Sequence, residues 1–259
     1  VMHFIYKKIR DLHLPIVMAV SEIKIRYART SLGPWWQTIN MMVLSLVLSF
    51  VFTKVFNAPS EEYVPFLIIG LIFWNFLQGI LVESSVCLVH SRNLILNSTN
   101  PIWIYPFKLV FRVLIQFLHH ALLIPIVVYY FKIDFNLISI VSFLTGMFVS
   151  IFIMLQMASI LSILGSRFHD LEQVVTNIVQ VLFYATPIIW MPSLVLGREF
   201  YMEYNPFYHV INIIRIPVID GDMQIWQSSL VVSIALLGCL ILLNYYIYRR
   251  FSKMVSYWV

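Results

Sequence analysis

The stretch Arg26-Tyr27-Ala28-Arg29-Thr30-Ser31-Leu32-Gly33-Pro34-Trp35-Trp36 separates a polar, basic amino-terminal segment from the first long apolar run of the chain. Arg26 and Arg29 are the last charged residues before an uncharged stretch from Thr30 to Thr53. Gly33-Pro34 interrupts the backbone, since glycine reaches φ values closed to other residues and proline cannot continue a helix from within. Trp35 and Trp36 fall where amphipathic rings favour the headgroup level of a bilayer. The reading is a helix on the membrane surface, a sharp turn and the start of a membrane crossing.

The residues just upstream agree. Ile16, Val20, Ile23 and Tyr27 recur at helical spacing, and Glu22, Arg26 and Arg29 form a second stripe with Glu22 and Arg26 at i,i+4. A helix basic on one side and apolar on the other lies in the interface plane. The alternative, an amphipathic cap on a soluble core, fails on composition. Of 259 residues, 61% are hydrophobic and 11% charged, and mean hydropathy is +0.87. Soluble domains carry about 25% charged residues. The chain is therefore an integral membrane protein, and its net charge of +5 is no argument for nucleic acid, which is not expected as a partner. Cys87 and Cys239 make no disulfide framework. The polar, basic amino terminus does not read as a cleavable signal peptide, so the first apolar run is expected to remain as an anchor.

Runs of about 20 apolar residues cross a bilayer. The sequence predicts an all-α integral membrane protein of six transmembrane helices, preceded by an amphipathic interface helix within residues 1–34. The spans are expected at about 35–52, 63–82, 109–130, 137–164, 174–191 and 223–248, in a transmembrane domain of 35–248 followed by a cytoplasmic tail, 249–259. A cytoplasmic loop is placed at 84–104 and a periplasmic segment of short re-entrant helices at 198–222. The apolar part of that segment, Phe207 to Ile219, is interrupted by Arg215 and Pro217 and is too short to cross. Six spans place thirteen Lys and Arg residues inside and four (Lys54, Lys132, Arg198, Arg215) outside. That is the positive-inside pattern; a seventh span would put Arg249, Arg250 and Lys253 outside. Ala158, Ser162 and Ser166 repeat every four residues in the fourth span, a spacing that lets helices approach closely.

Several chemistries are not visible. There is no G-x-x-x-x-G-K-[ST] phosphate loop. His119, His120, His169 and His209 have no partners at metal-ligand spacing, so no metal is expected. No nucleophile elbow or carboxylate pair stands out, and the span centres lack the ionisable groups of ion-coupled carriers. If something is moved, its energy is expected to come from elsewhere.

A resemblance follows from four blocks. Arg26-Tyr27, Arg29-Thr30, Leu32-Gly33-Pro34 and Trp36 resemble the first motif of type-2 ABC exporter permeases, above all those that export O-antigen, capsule and teichoic-acid polymers. Asn93-Leu94-Ile95 with Pro101 and Tyr105-Pro106 is similar to that family's loop between the second and third helices. Phe168, Asp170-Leu171 and Thr186-Pro187-Ile188 resemble its fifth helix, and Asn205-Pro206 with Arg215 the region before its last helix. The chain differs in carrying Asn97 and Asn100 where the family often has basic residues.

The resemblance implies a permease subunit in the bacterial inner membrane, multi-pass, with cytoplasmic termini, forming a homodimer with two copies of a separate ATPase. The chain itself would be no enzyme and hold no cofactor, ATP and Mg being bound by the partner. The expected substrate is an undecaprenyl-pyrophosphate-linked polysaccharide moved from cytoplasm to periplasm, among membrane lipids. On that reading Arg26 and Arg29 meet the pyrophosphate, and Tyr27, Trp35, Trp36, Phe183, Tyr184 and Pro187 line the path. Asn93, Leu94, Asn97, Asn100, Pro101 and Trp103 would couple to the ATPase, and Tyr204, Pro206, Phe207 and Arg215 would form a periplasmic gate. The alternatives are a drug or small-lipid exporter of the same architecture, or a membrane-embedded transferase.

Overall fold

The computed structural model describes the backbone of residues 2–192, 200–219 and 221–259, and the side chains within these from His13 onward except Phe200 and Tyr201. The described residues hold helices and no strand, the form in which a chain in lipid satisfies its backbone groups within each segment. Arg198, Glu199 and Asp220 of the expected outer segment lie outside the described residues.

Helix α1 (Met2–Tyr27) stops ahead of a turn in which Gly33 has φ 57° and Pro34 has φ −62°, and α2 (Trp35–Lys54) begins at once. The left-handed φ of Gly33 is costly for any residue with a Cβ. The burial of α1 shows which side meets the protein. Ile16, Val17, Val20 and Ile25 are exposed while Ala19 is fully buried, so the Ala19–Glu22 side faces the protein. The reason lies on a neighbouring helix, where a buried arginine requires a carboxylate, as described below.

Helix α2 has the burial pattern expected in lipid. Thr38, Met41, Ser45 and Ser49 form its one buried stripe, and Met42, Val43, Leu44, Leu46, Val47 and Phe50 are exposed. Small hydroxyl residues let α2 approach α3 (Ser60–Ser84) closely, and the Ser45 hydroxyl donates back to the Met41 carbonyl at 2.8 Å. Helix α3 is the centre of the fold, packed by α2, by α6 (Ile104–Ala121), α8 (Leu137–Arg167), α9 (Leu171–Ala185) and α11 (Pro206–Val218). Between α3 and α6 lie the short helices α4 (Cys87–His90) and α5 (Arg92–Asn97). Helix α6 breaks at Leu122 and continues as α7 (Leu123–Tyr130), because Pro125 has no N–H to return to Ala121.

The Asn136 side chain caps α8, accepting from the Ser139 amide at 3.0 Å. Ala158, Ser162 and Ser166 are each 0% exposed, as their spacing predicts. Gly165 lies against the Ser85 carbonyl and Gly146 against the Ile213 carbonyl, so closely that a Cβ at either would strike backbone. Helix α12 (Met223–Phe251) is capped by Asp222 and packs on α8 and α11. Residues after it are ordered: α13 (Val255–Trp258) buries Val255 against α8, and the Arg167 guanidinium lies 5.4 Å from the Trp258 ring centroid.

Among the described residues five segments are long and apolar enough to cross a membrane: Trp35–Lys54, Ser60–Ser84, Ile104–Tyr130, Leu137–Arg167 and Met223–Trp258. The fifth expected span, 174–191, is helical only to Ala185. Thr186 is extended (φ −96°, ψ 140°), as the residue ahead of Pro187 prefers. Fifteen helical residues reach about 22 Å, short of a hydrocarbon core of about 30 Å. Within the expected segment 198–222 the described residues hold the helices α10 (Phe200–Glu203) and α11. Pro206 at its first position and the Asn205 side chain, accepting from the Phe207 amide at 3.0 Å, start α11.

Candidate substrate path and the two ends of the bundle

At the carboxyl end of α3, five charged side chains from three helices converge. Arg112 of α6 is 1% exposed, and its Nη2 donates to Glu83 of α3. Its Nε lies 3.1 Å from Glu22 of α1, whose other carboxylate oxygen is 2.9 Å from Lys108 Nζ. Arg26 sits farther out, 3.9 Å from Glu22 and 3.7 Å from Glu83. This junction fixes α1 to the membrane helices. Burial works to raise the Glu22 pKa, but Lys108, Arg112 and Arg26 together outweigh it and hold the carboxyl below its ordinary value. Arg26, read from sequence as free to meet a phosphate, is thus half committed to carboxylates. Arg29 is exposed and forms no ion pair among the described residues. The Tyr27 hydroxyl is buried without a partner among them.

Trp35 and Trp36 are about half exposed at the start of α2, and Trp35 meets His119 edge-on at 5.6 Å. Phe183 and Tyr184 belong to another helix, α9. The Tyr63 hydroxyl, at the first turn of α3, donates to the Ile189 carbonyl at 2.7 Å, which sets the end of α9 beside the opposite end of α3 from Glu83. Phe183, earlier in α9, packs on Trp74 near the middle of α3 at 5.6 Å, and Tyr184 is exposed. Both α2 and α9 pack on α3, and among the described residues no ring contact joins Trp35 or Trp36 to Phe183 or Tyr184, so the expected path residues form two groups rather than a single cluster.

A second buried arginine lies among the residues expected to form a gate. Arg215 of α11 is 2% exposed and donates to the Pro187 carbonyl at 2.7 Å and to the Asn212 side chain at 2.9 Å. Its guanidinium carbon lies 3.7 Å from the Phe66 ring centroid. Asn205 donates to the Thr186 hydroxyl at 2.8 Å, tying the start of α11 to the end of α9. Phe207 reaches Trp74, which already holds Phe183. Pro206 and Tyr204 are exposed. Arg215 and Pro187 are therefore internal braces, while Tyr204 and Tyr184 are surface groups.

The loop residues form a third group. On α5 only Ile95 is buried; Asn93, Leu94, Leu96 and Asn97 are exposed, with Asn97 donating to the Asn93 carbonyl at 2.9 Å. Pro101 is exposed, Asn100 and Trp103 are half-buried, and Trp103 packs on Phe107 at 5.3 Å. Among the described residues no three His, Cys, Asp or Glu side chains gather as metal ligands. Sequence reading missed Glu22, Glu83, Trp74, Thr186 and Asn212. Glu22 shows in the sequence only as a member of the charged stripe and Glu83 only as the charge that closes the second span, and nothing in the order of residues pairs them with Arg112.

The sequence profile of the ABC-2 type transporter family matches residues 16–218. An O-antigen export system permease protein RfbA of Klebsiella pneumoniae is 24% identical over 203 residues, 76% of this chain and 77% of that one. A protein of the same name from Myxococcus xanthus is 24% identical over 197 residues, 74% of this chain and 75% of its own. The matched region runs from α1 through the brace at Arg215, and with its apolar crossing helices the chain belongs to the ABC-2 type transporter family, as a multi-pass membrane permease.

Proposed function

We propose that this chain is the membrane subunit of an ATP-driven exporter that moves undecaprenyl-pyrophosphate-linked polysaccharide out of the cytoplasm across a bacterial inner membrane. The observation that carries this is the relatedness to O-antigen export permeases over about three-quarters of both chains. The working unit would be a homodimer with two copies of a separate ATPase that binds ATP and Mg. Six crossings, with both termini cytoplasmic, put thirteen basic residues inside and four outside. The Tyr63–Ile189 bond supports counting α9 and the extended residues after it as the fifth crossing, because it carries that segment from the Arg167 end of α8 to the far end of α3.

On this reading α5 docks on the ATPase through exposed Leu94, Leu96 and Asn97, and α6 and α1 receive its motion through the ionic junction. Arg29 and the outer nitrogen of Arg26 attract the pyrophosphate at the membrane surface, where a planar fork suits two phosphate oxygens. Trp35 and Trp36 cover sugar faces on the way in, and Phe183 and Tyr184 do so on the way out. Tyr204, Pro206 and Phe207 border the exit, braced by Arg215. Deleting the gene should trap completed polymer in the cytoplasm, and an Arg26→Lys, Arg29→Lys double variant at equal expression should restore less than about a tenth of export, since lysine keeps the charge and loses bidentate contact. Normal surface polymer in the deletion strain would refute the export reading; normal export by the double variant would refute the role of the two arginines.

A further inference from the structure

A polar cleft lies inside the bundle, beside the start of α2. Helices α2, α3 and α6 enclose a cleft of about 340 Å³, within the range of small-molecule sites, roughly 300–1,000 Å³. Five side-chain amides line it in otherwise apolar helices: Gln37 and Asn40 from α2, Asn75 and Gln78 from α3, and Gln116 from α6. His120 adds an imidazole, and Phe76 and Phe117 supply flat apolar wall.

Two of these groups are placed at a cost. Gln116 is 7% exposed and His120 6%, and among the described residues neither Gln116 Nε2 nor either ring nitrogen of His120 has a hydrogen-bonding partner. Other polar side chains in the same helices fold back on their own backbone. Asn75 donates to the Leu71 carbonyl at 2.9 Å, and His119 Nδ1 lies 2.8 Å from the Ile115 carbonyl. Buried polar groups without partners are unfavourable in protein and worse between membrane helices, where leucine would fill the same space. A ligand that brings its own donors and acceptors removes the penalty.

The lining also selects the ligand's chemistry. It holds no lysine or arginine, and its one acidic residue, Glu83, is already engaged by Arg112 and Arg26. A phosphate would meet no cation of its own. Amides each offer donors and an acceptor, which matches a ring of hydroxyls that do both, and the phenyl faces suit the C–H side of a sugar ring. We propose that this cleft is a binding site for an uncharged sugar ring of a glycolipid, held beside the ionic junction at the Glu83 end of α3. That the glycolipid is the exported polymer's carrier rests on the export reading above; the binding of a sugar does not.

The test uses the full chain in lipid nanodiscs with Cys239→Ser, Cys87 being buried, and Gln78→Cys at the exposed rim of the cleft. The rate of maleimide attack on the introduced thiol is measured against dodecyl maltoside and, as a probe of equal chain length, dodecylphosphocholine. The maltoside should protect in a saturable way and the phosphocholine should not. Gln116→Leu and, separately, His120→Phe should each raise the half-protecting concentration by about tenfold, the size of one lost hydrogen bond in a closed site. Gln116→Leu removes an unpartnered amide from between helices, so it tests binding without endangering the fold. Equal protection by both probes, protection by neither, or protection unmoved by both substitutions would overturn the proposal. Sugar-selective protection that both substitutions weaken, in a chain whose deletion leaves surface polymer intact, would uphold the site while refuting the export reading.

Discussion

Each end of α3 has one buried arginine beside it, and the two are satisfied in opposite ways. Arg112 meets two carboxylates, Glu83 and Glu22, carried on two other helices. Arg215 meets none among the described residues, and is held by a backbone carbonyl, an amide and a phenyl ring. Ionic attraction falls off slowly with distance, whereas a hydrogen bond is gone by about 3.6 Å. The Glu83 end can therefore shift by an ångström and keep much of its energy, which suits the end tied to α1 and α5. The Arg215 end is a brace that tolerates little movement.

The sharpest way to break this contrast is to remove the cation. Arg112→Leu takes from Glu83 its closest cation and leaves Lys108 and Arg26 to hold Glu22, and should cost about 3 kcal/mol, the low end for breaking a buried pair, read as lost unfolding free energy of the detergent-solubilised chain. A cost below that of Arg215→Leu would invert the comparison. A gentler variant sharpens it. Arg215→Lys keeps the charge but loses the fork to Pro187 and Asn212 and part of the ring contact, for about 1–3 kcal/mol. Arg112→Lys should cost less than that, because carboxylates accept a point charge from many directions. Equal costs in the two lysine variants would mean the two ends are held alike.

The smallest effect is set by pH. Glu22 has a depressed pKa in the folded chain, so its stabilising contribution is complete above the ordinary carboxylate value of about 4.3 and is lost as pH falls through the lower folded value. At neutral pH Glu22→Gln should cost about 1 kcal/mol, given that Glu22 is a third exposed. The gap between variant and parent should close only below pH about 4. A gap unchanged down to pH 3 would show that Glu22 acts by shape and not by charge.

Most of this fold was legible because lipid makes hydropathy a direct readout of helices. The turn at Gly33-Pro34, the close packing at Ala158, Ser162 and Ser166, and the start of α11 at Asn205-Pro206 follow from local chemistry alone. The exceptions are instructive. Helix α9 ends at Ala185 because Pro187 governs the residue before it, a local rule outweighed in the sequence by four further apolar or aromatic residues, Ile188 to Met191. Which side of α1 meets the protein is not legible, because Glu22 and Arg26 look like a solvated stripe until Arg112, 90 residues from Glu22, is placed against them. The amides of the α2–α3–α6 cleft, Gln37 to Gln116, are scattered over 80 positions and converge only in three dimensions. Pairings across helices carry no signature in a single chain.

The central claim is that this permease passes a lipid-linked polysaccharide when a partner hydrolyses ATP. Inverted membrane vesicles containing the chain and its ATPase subunit, loaded on the outside with radiolabelled undecaprenyl-pyrophosphate glycan, test it directly. With ATP, the glycan should become inaccessible to an added glycosidase, and should stay accessible without ATP or with Arg112→Leu. Glycan that remains fully accessible in the presence of ATP and an active ATPase would contradict the account.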